Sequence, residues 1–378
     1  MLIDEKELIY WLKRSKNVLL VNPQPVKNYP PLGLMKIASF VKSNGGVVHF
    51  SNYYISGKWD LICVATLFTY DSRTVFDCLD SIKFLAGQRP VIIGGIFSSI
   101  LPKVFEEKYQ KMMNFTCYSK TLDSVVPDYS IDWKNDPEWN SFCFLFTQRG
   151  CINNCAYCAV KKIEPERWVN PDWRNGLIAE KPHVAISDNH ILSCGEHFYK
   201  VIETIKKSKY KVLFNNGLDN KYITKENAKA LAGIKYIKKG LRLAFDRIEE
   251  DGTFQAAIEM LLNAGCHKSD IEIYCMYNFN DTPQEANYRC SECYRLGVQQ
   301  YPIPYRPFNK LSRQPEYIGK HWTHGLVRAF REYWLFGSNY RSKDINDFLR
   351  EDAVVKKFNL TKGDYEKWEY VSTTKKTA

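Results

Sequence analysis

The first 125 residues alternate short apolar runs with amphipathic stretches. The apolar runs have the length of β-strands, and the stretches between them repeat apolar positions with a helical period. Such alternation predicts a doubly wound parallel sheet over residues 1–125, which binds ligands beyond the carboxyl ends of its strands. The predicted strands are Asn17–Asn22, Val47–Phe50, Leu61–Ala65 and Val91–Ile93, and the predicted helices are Leu32–Ser43 and Arg73–Leu85.

A second β/α series follows the proline-containing segment 126–140, which reads as a linker. Six strand-like runs alternate with helical stretches over residues 141–308, and this count favours a partial (β/α)6 barrel over an open sheet. In such barrels the functional residues lie at the carboxyl ends of the strands. The six predicted strands are Phe142–Phe146, His183–Ser187, Lys211–Phe214, Leu241–Phe245, Ile271–Met276 and Val298–Pro302.

Residues 309–378 lose this alternation and are predicted to form a small helical region. The predicted helices are Trp322–Leu335 and Lys343–Arg350, and residues 371–378 are predicted to be a frayed tail. Four regions are therefore expected: 1–125, 126–140, 141–308 and 309–378.

Composition narrows the class of protein. The chain has 378 residues, 45% hydrophobic and 25% charged, as in a folded globular protein. Neither a signal peptide nor a membrane-spanning run is evident, so we expect a cytoplasmic protein whose 12 cysteines are mostly thiols or metal ligands. The net charge of +11 is spread along the chain rather than clustered, so a nucleic-acid partner is not favoured.

Three cysteines carry the strongest chemical signal. Cys151, Cys155 and Cys158 lie within eight residues, spaced C-x3-C-x2-C, directly after the first strand of the second series. Thiolates suit iron–sulfur clusters and zinc. Zinc normally takes four ligands, and no histidine lies near; Cys143 could be a fourth, although it sits inside a predicted strand. The spacing therefore favours a cluster in which three thiolates leave one iron open.

This motif resembles the signature of radical S-adenosylmethionine (SAM) enzymes, in which an aromatic residue, here Tyr157, precedes the third cysteine. The resemblance covers about residues 140–308. It implies a [4Fe–4S] cluster on Cys151, Cys155 and Cys158, with SAM chelating the fourth iron. One electron, from a donor such as flavodoxin or ferredoxin, would cleave SAM to a 5′-deoxyadenosyl radical that abstracts hydrogen from a substrate.

The resemblance also assigns roles at the later strand ends. Asp188 stands where the family often has a glutamate that meets the SAM amino group, and Asn216 would bond a ribose hydroxyl. Arg242 would pair with the SAM carboxylate, Met276 lies near the expected adenine site, and Arg306 would face the substrate. For each of these residues, packing or helix capping is the competing explanation. Cys290 and Cys293, spaced C-x2-C in a predicted helix, are expected to be buried thiols.

A Rossmann-like domain ahead of the barrel resembles the cobalamin-binding subclass of the family. Three stretches match it in kind and order: Pro30–Leu34, Gly94–Ile96 and Val126–Tyr129. The Asp-x-His-x-x-Gly motif of that subclass is absent, and His49 is the only histidine of the domain. Cobalamin as a further cofactor is thus left open.

Two functions are consistent with these residues. The first is a radical SAM enzyme, performing methyl transfer if cobalamin is bound and simple hydrogen abstraction if it is not. The second is a non-catalytic binding protein whose cysteines hold an iron–sulfur cluster or zinc in a purely structural role. The substrate of such an enzyme would be a small molecule, a peptide or a nucleotide.

Overall fold

The computed structural model describes residues 1–23, 29–336 and 344–369. The chain divides into two compact units: residues 1–190 with 307–313, and residues 191–306 with 314–378. The four regions expected from the sequence stay a prediction. The predicted tail 371–378 and Lys343, the start of the predicted last helix, lie outside the described residues.

The first unit begins with a six-stranded sheet in which every pair of neighbouring strands is parallel. Its spatial order is β1-β6-β5-β4-β2-β3. The strands are β1 (Leu2–Ile3), β2 (Asn17–Val21), β3 (Val47–Ser51), β4 (Leu61–Thr66), β5 (Val91–Gly95) and β6 (Met113–Phe115).

Helices cover both faces of this sheet, because its central strands are apolar on both faces. In β2, the residues Val18–Val21 are all fully buried; Val18 and Leu20 pack on one side, and Leu19 and Val21 on the other. The helices are α1 (Glu5–Arg14), α2 (Leu32–Ser43), α3 (Ser72–Leu85), α4 (Ile96–Ile100), α5 (Pro102–Lys108) and α6 (Lys120–Asp123). The predicted doubly wound sheet is present, with two short strands, β1 and β6, that the sequence pattern did not indicate.

The remainder of the first unit carries the cysteine motif. Strands β7 (Phe142–Leu145) and β10 (His183–Ile186) pair in parallel, and β8 (Gln148–Arg149) pairs antiparallel with β9 (Trp168–Val169). The short helix α7 (Val160–Ile163) follows the cysteines.

Residues 307–313 return to the first unit from later in the chain. The hydroxyl of Ser72 donates to the carbonyl of Leu311. The Arg313 guanidinium lies 3.3 Å from the Asp71 carboxylate and over the ring of Tyr70. These contacts attach the segment to the start of α3.

The second unit consists of alternating strands and helices followed by a helical region. Its strands β12, β13 and β14 are parallel neighbours. The strands are β11 (Lys211–Phe214), β12 (Leu241–Ala244), β13 (Ile271–Tyr277) and β14 (Gln299–Pro304). The helices are α8 (Glu196–Lys206), α9 (Lys225–Ala232), α10 (Thr253–Asn263), α11 (Pro283–Leu296), α12 (His324–Arg331), α13 (Ile345–Arg350), α14 (Asp352–Phe358) and α15 (Lys362–Glu369).

Local sequence signals explain the helix ends in this unit. Thr282 and Glu285 form a reciprocal capping box at the start of α11, and Gly297 ends that helix in the left-handed conformation. The predicted helix Trp322–Leu335 is shorter in the structure, since α12 ends at Arg331 and a π-helical turn, Glu332–Phe336, follows.

Mixed α/β architecture with parallel sheets is therefore established. Within the described residues, neither unit closes its own strands into a barrel. No helix in the described part of the chain combines the length and apolar character that spanning a bilayer requires.

Candidate functional site

The three motif cysteines lie in one loop of the first unit. The loop leaves β8 at Arg149 and ends at α7. Cys151 and Cys155 are half-buried, whereas Cys158 is exposed. The backbone turns tightly here: the Asn153 amide donates to the Cys151 sulfur at 3.3 Å, and the Cys158 amide donates to the Cys155 carbonyl at 3.0 Å. All twelve cysteines, each within the described residues, are thiols rather than disulfides.

Gly150 forms the tight entrance to this loop. Its φ of +78° lies in the left-handed region, and a Cβ there would come within 2.5 Å of the Glu166 carbonyl oxygen. A side chain at this position would therefore push apart the two ends of the loop. The Gly150 amide donates to Oε2 of Glu164 at 2.6 Å.

Four buried charges of alternating sign hold the base of the cysteine loop. Lys36 Nζ lies 2.6 Å from Oδ1 of Asp123. Arg149 makes two hydrogen bonds with the Asp123 carboxylate, of 2.7 and 2.9 Å, and a third of 2.7 Å with Oε1 of Glu164. The Arg149 guanidinium also lies over the Phe146 ring, 3.4 Å from its centroid. We call Lys36, Asp123, Arg149 and Glu164 the loop-base network.

The pKa values in this network follow from burial and charge together. Burial alone would raise the pKa of Asp123, but Arg149 and Lys36 outweigh it, and the pKa is lowered. Burial lowers the pKa of Lys36, and the nearby Asp123 only partly offsets this. Asp123 is therefore held as a carboxylate between two cations.

Asp188 supports the same loop from the end of β10. Its Oδ1 accepts hydrogen bonds from the Thr147 amide at 2.6 Å and the Gln148 amide at 3.0 Å, and its Oδ2 accepts from the Thr147 hydroxyl. The structure thus directs this carboxylate toward the chain that leads into the cysteine loop. Its predicted contact with the SAM amino group stays a prediction.

Asp188 should make stability depend on pH with a definite sign. Burial raises its pKa to about 7. Because the folded state then binds the proton more tightly, this contribution to stability is complete below about pH 4 and is lost as pH rises through 7. We expect the unfolding free energy of wild type, minus that of Asp188→Asn, to fall by about 1–3 kcal/mol between pH 5 and 8. The measurement is urea unfolding of each full-length protein at each pH, followed by pulsed hydrogen exchange at residues 142–149.

The exposed Asp172→Asn serves as the control for this experiment. Its difference from wild type should stay constant across the same pH range. A difference between wild type and Asp188→Asn that is flat, or that rises with pH, would contradict the assignment.

The other predicted site residues lie in different surroundings. Tyr157 is half-buried in the cysteine loop, and Asn216 and Arg306 are exposed in loops after β11 and β14. The Nε of Arg242 donates to Oε2 of Glu272 at 3.1 Å, so its guanidinium is engaged with a neighbouring strand. Met276 is half-buried near the end of β13. Their roles toward SAM and substrate stay predictions.

Sequence reasoning missed a second buried arginine, Arg289 in the second unit. Its side chain is fully buried and donates to the backbone carbonyls of Asp246 and Met276 and to the carboxylate of Asp281. The Asp246 carboxylate in turn accepts from the Met276 amide at 2.9 Å, and burial raises its pKa to about 7. Arg289 and Asp246 thus fix the ends of β12 and β13. No sequence signal marks a helical arginine as buried.

The motifs of the N-terminal sheet also have clear structural roles. Gly95 has a φ of +111°, and a Cβ there would come within 2.2 Å of the Thr66 carbonyl oxygen, so only glycine fits between β4 and β5. The Tyr129 hydroxyl accepts from the Phe144 amide at 3.0 Å, which ties the Val126–Tyr129 stretch to β7. His49 packs its ring against Trp59 with centroids 5.0 Å apart.

Comparison with known proteins supports the fold rather than a close relationship. No protein-family profile and no curated protein sequence matches this chain. Among solved structures, the chain is similar to TsrM from Kitasatospora setae, a radical SAM methyltransferase with cobalamin and a [4Fe–4S] cluster bound. The match has a TM-score of 0.58 at 14% identity and covers 78% of this chain and 77% of that one. The chain shares the fold of that enzyme.

A second solved structure is also similar, though more weakly. The cobalamin-dependent SAM radical enzyme OxsB, with aqua-cobalamin bound, matches 93% of this chain and 57% of its own, at 12% identity and a TM-score of 0.46. The shared fold rests on the first match alone. The predicted resemblance to the subclass with an N-terminal cobalamin-binding-like domain is thereby confirmed at the level of the fold.

The donor set of the loop suits an iron–sulfur cluster. Three thiols on an eight-residue turn provide soft ligands. In the described ranges, no three Cys, His, Asp or Glu side chains are grouped to hold one metal ion. A four-iron cluster does not require such a group, because each thiolate binds a separate iron.

Proposed function

We propose that this chain is a radical SAM enzyme whose cluster ligands are Cys151, Cys155 and Cys158. The observation that carries the proposal is the position of these three thiols: one loop directly after β8, in a chain with the fold of a radical SAM enzyme. When bound, a [4Fe–4S] cluster supplies the electron for reductive cleavage of SAM, whose adenosyl fragment then abstracts hydrogen from a substrate. The chain's own residues must hold the loop and exclude water from the reacting atoms.

The remaining assignments extend this proposal. By the resemblance, residues 141–308 supply the partial barrel, Tyr157 is assigned to the cluster, and Asp188, Asn216, Arg242 and Met276 are each assigned a contact with SAM. Arg306 contacts the substrate. An electron donor such as flavodoxin or ferredoxin and a cytoplasmic location complete the proposal. Asp188 and Arg242 already bond to neighbouring residues, so each would bind SAM through its remaining hydrogen-bonding capacity.

Cobalamin-dependent methyl transfer is the finer form of the proposal. Parallel sheets of this kind bind ligands beyond the carboxyl ends of their strands. After β4 that edge carries the half-buried rings of Phe68 and Tyr70, stacked with their centroids 4.9 Å apart, and the Arg313 guanidinium lies over the Tyr70 ring. These partly exposed aromatic side chains at the ligand-binding edge support this form of the proposal. His49 lies within β3, with its ring packed against Trp59. Cobalt measured by mass spectrometry, in protein produced with cobalamin, decides between methyl transfer and simple hydrogen abstraction.

A cluster reconstitution experiment tests the enzyme proposal. Protein purified without oxygen is loaded with iron and sulfide, reduced, and incubated with SAM, and released 5′-deoxyadenosine and methionine are quantified. We expect four irons per chain and release of both products. A fully loaded cluster that releases neither product would contradict the proposal, as would purified protein that contains zinc in place of iron.

A further inference from the structure

The loop-base network joins two distant parts of the sequence inside the first unit. Lys36 lies on α2 and Asp123 on α6, both packed on the N-terminal sheet, whereas Arg149 and Glu164 flank the cysteines. All four side chains are at least 87% buried; their exposed fractions are 7%, 4%, 13% and 5%. Two cations and two anions alternate, so the network is electrically neutral as a whole.

Each link of this network is short and leads directly to the cysteines. Lys36 contacts Asp123 at 2.6 Å, Asp123 contacts Arg149, and Arg149 contacts Glu164 at 2.7 Å. Glu164 then accepts the amide of Gly150, the residue before Cys151. Glu164 also accepts from the Asn189 side chain at 2.7 Å. An unbroken series of ion pairs and hydrogen bonds therefore connects the Lys36 side chain to the backbone of the cysteine loop.

Removing one charge from such a network does two separate things. It leaves a buried partner without its counterion, which loosens the attached backbone. It also leaves a net charge in a poorly solvated region, where electrostatic effects reach further than in water. A nearby redox centre should respond to the second effect even where the backbone keeps its position.

We propose that Lys36 and Asp123 are positioning residues for the cysteine loop, and that they set its electrostatic environment through Arg149. This inference rests on the proposed function, since it treats the loop as the holder of a reducible cluster. It extends the site into the N-terminal sheet domain, at residues that no motif marks.

The decisive variant is Lys36→Met, with Lys42→Met as its matched control. Both lysines lie on α2 and both pair with an aspartate, but Lys42 contacts Asp128, which does not lead to the cysteine loop. In cluster-free protein, Lys36→Met should speed amide hydrogen exchange at residues 147–150 at least about tenfold. Lys42→Met should leave exchange there unchanged. Exchange in β2 and β4 reports whether each variant has kept its fold.

Protein that carries the reconstituted cluster provides a second measurement, the midpoint potential, which responds to charge and not only to packing. Lys36→Met leaves one uncompensated negative charge near the loop, so the midpoint potential of the cluster should become more negative and its electron paramagnetic resonance spectrum should change. Lys36→Arg restores the cation and should restore both. Asp123→Asn, which removes an anion, should shift the potential in the opposite direction.

Failure of the inference and failure of the proposed function are distinguishable. If wild type loads no cluster, the proposed function is wrong. If wild type loads a cluster but Lys36→Met matches Lys42→Met in exchange, potential and spectrum, the network does not position the loop and the inference is overturned.

Discussion

Cys155→Ala should abolish both the stable cluster and all SAM cleavage. Cys155 is the central thiol of the motif, and its carbonyl accepts a hydrogen bond from the Cys158 amide at 3.0 Å, so it begins the turn that leads to the third cysteine. Two thiolates cannot replace three around a cluster whose fourth iron must stay open. Iron and sulfide content and 5′-deoxyadenosine release, each measured after identical anaerobic reconstitution, give the result.

Cys78→Ala is the control for that loss. Cys78 is also partly buried, but it lies on α3 of the N-terminal sheet, where burial raises its pKa to about 11. A thiol with so high a pKa is a poor metal ligand. Cys78→Ala should therefore load iron and cleave SAM as wild type does. Retained cleavage in Cys155→Ala would show that the three cysteines are not the ligands.

Arg149→Met should destabilise the first unit by about 3–5 kcal/mol, the usual cost of breaking a buried ion pair from one side. Without the guanidinium, Asp123 keeps only Lys36, and Glu164 keeps only its neutral donors, the Gly150 amide and Asn189. The Phe146 ring also loses the cation above it. The measurement is urea unfolding of the whole chain, with pulsed hydrogen exchange followed in peptides of the first unit. Its midpoint reports the stability of the first unit separately from that of the second.

An exposed ion pair beside the same loop provides the comparison. Lys120 and Glu166 lie 3.4 Å apart, with 48% and 72% of their side chains exposed. Lys120→Met should change the unfolding free energy by no more than about 0.5 kcal/mol. If Arg149→Met and Lys120→Met changed the unfolding free energy equally, the buried loop-base network would stabilise the first unit no more than an exposed ion pair does.

The sequence predicted the elements of the fold more readily than their arrangement. Apolar periodicity identified β2, β3, β4 and β5 because each is a continuous or alternating apolar run. It missed β1 and β6, which have two and three residues and pair with each other at the edge of the sheet. So short a strand is stabilised by its neighbours, and nothing in its own residues distinguishes it from a loop.

The same limit applies to the candidate site. The cysteine spacing is local, so the chain itself reveals it. The partners of Arg149 are not local: Asp123 lies 26 residues before it and Glu164 lies 15 residues after it. Its polarity and its position after a strand predict that Asp188 contacts an ammonium group, whereas its observed hydrogen bonds go to residues 147 and 148. Such pairings depend on tertiary packing, which leaves no periodic pattern in the sequence.

The return of residues 307–313 to the first unit has a practical consequence for dissecting the protein. A fragment that stops at His190 would omit Arg313, leaving the partly desolvated Asp71 without its cation, and would uncover Tyr70. Such a fragment should aggregate or bind the missing piece when it is added in trans. A synthetic peptide spanning 307–313 is therefore the natural additive for recovering the first half of the chain on its own.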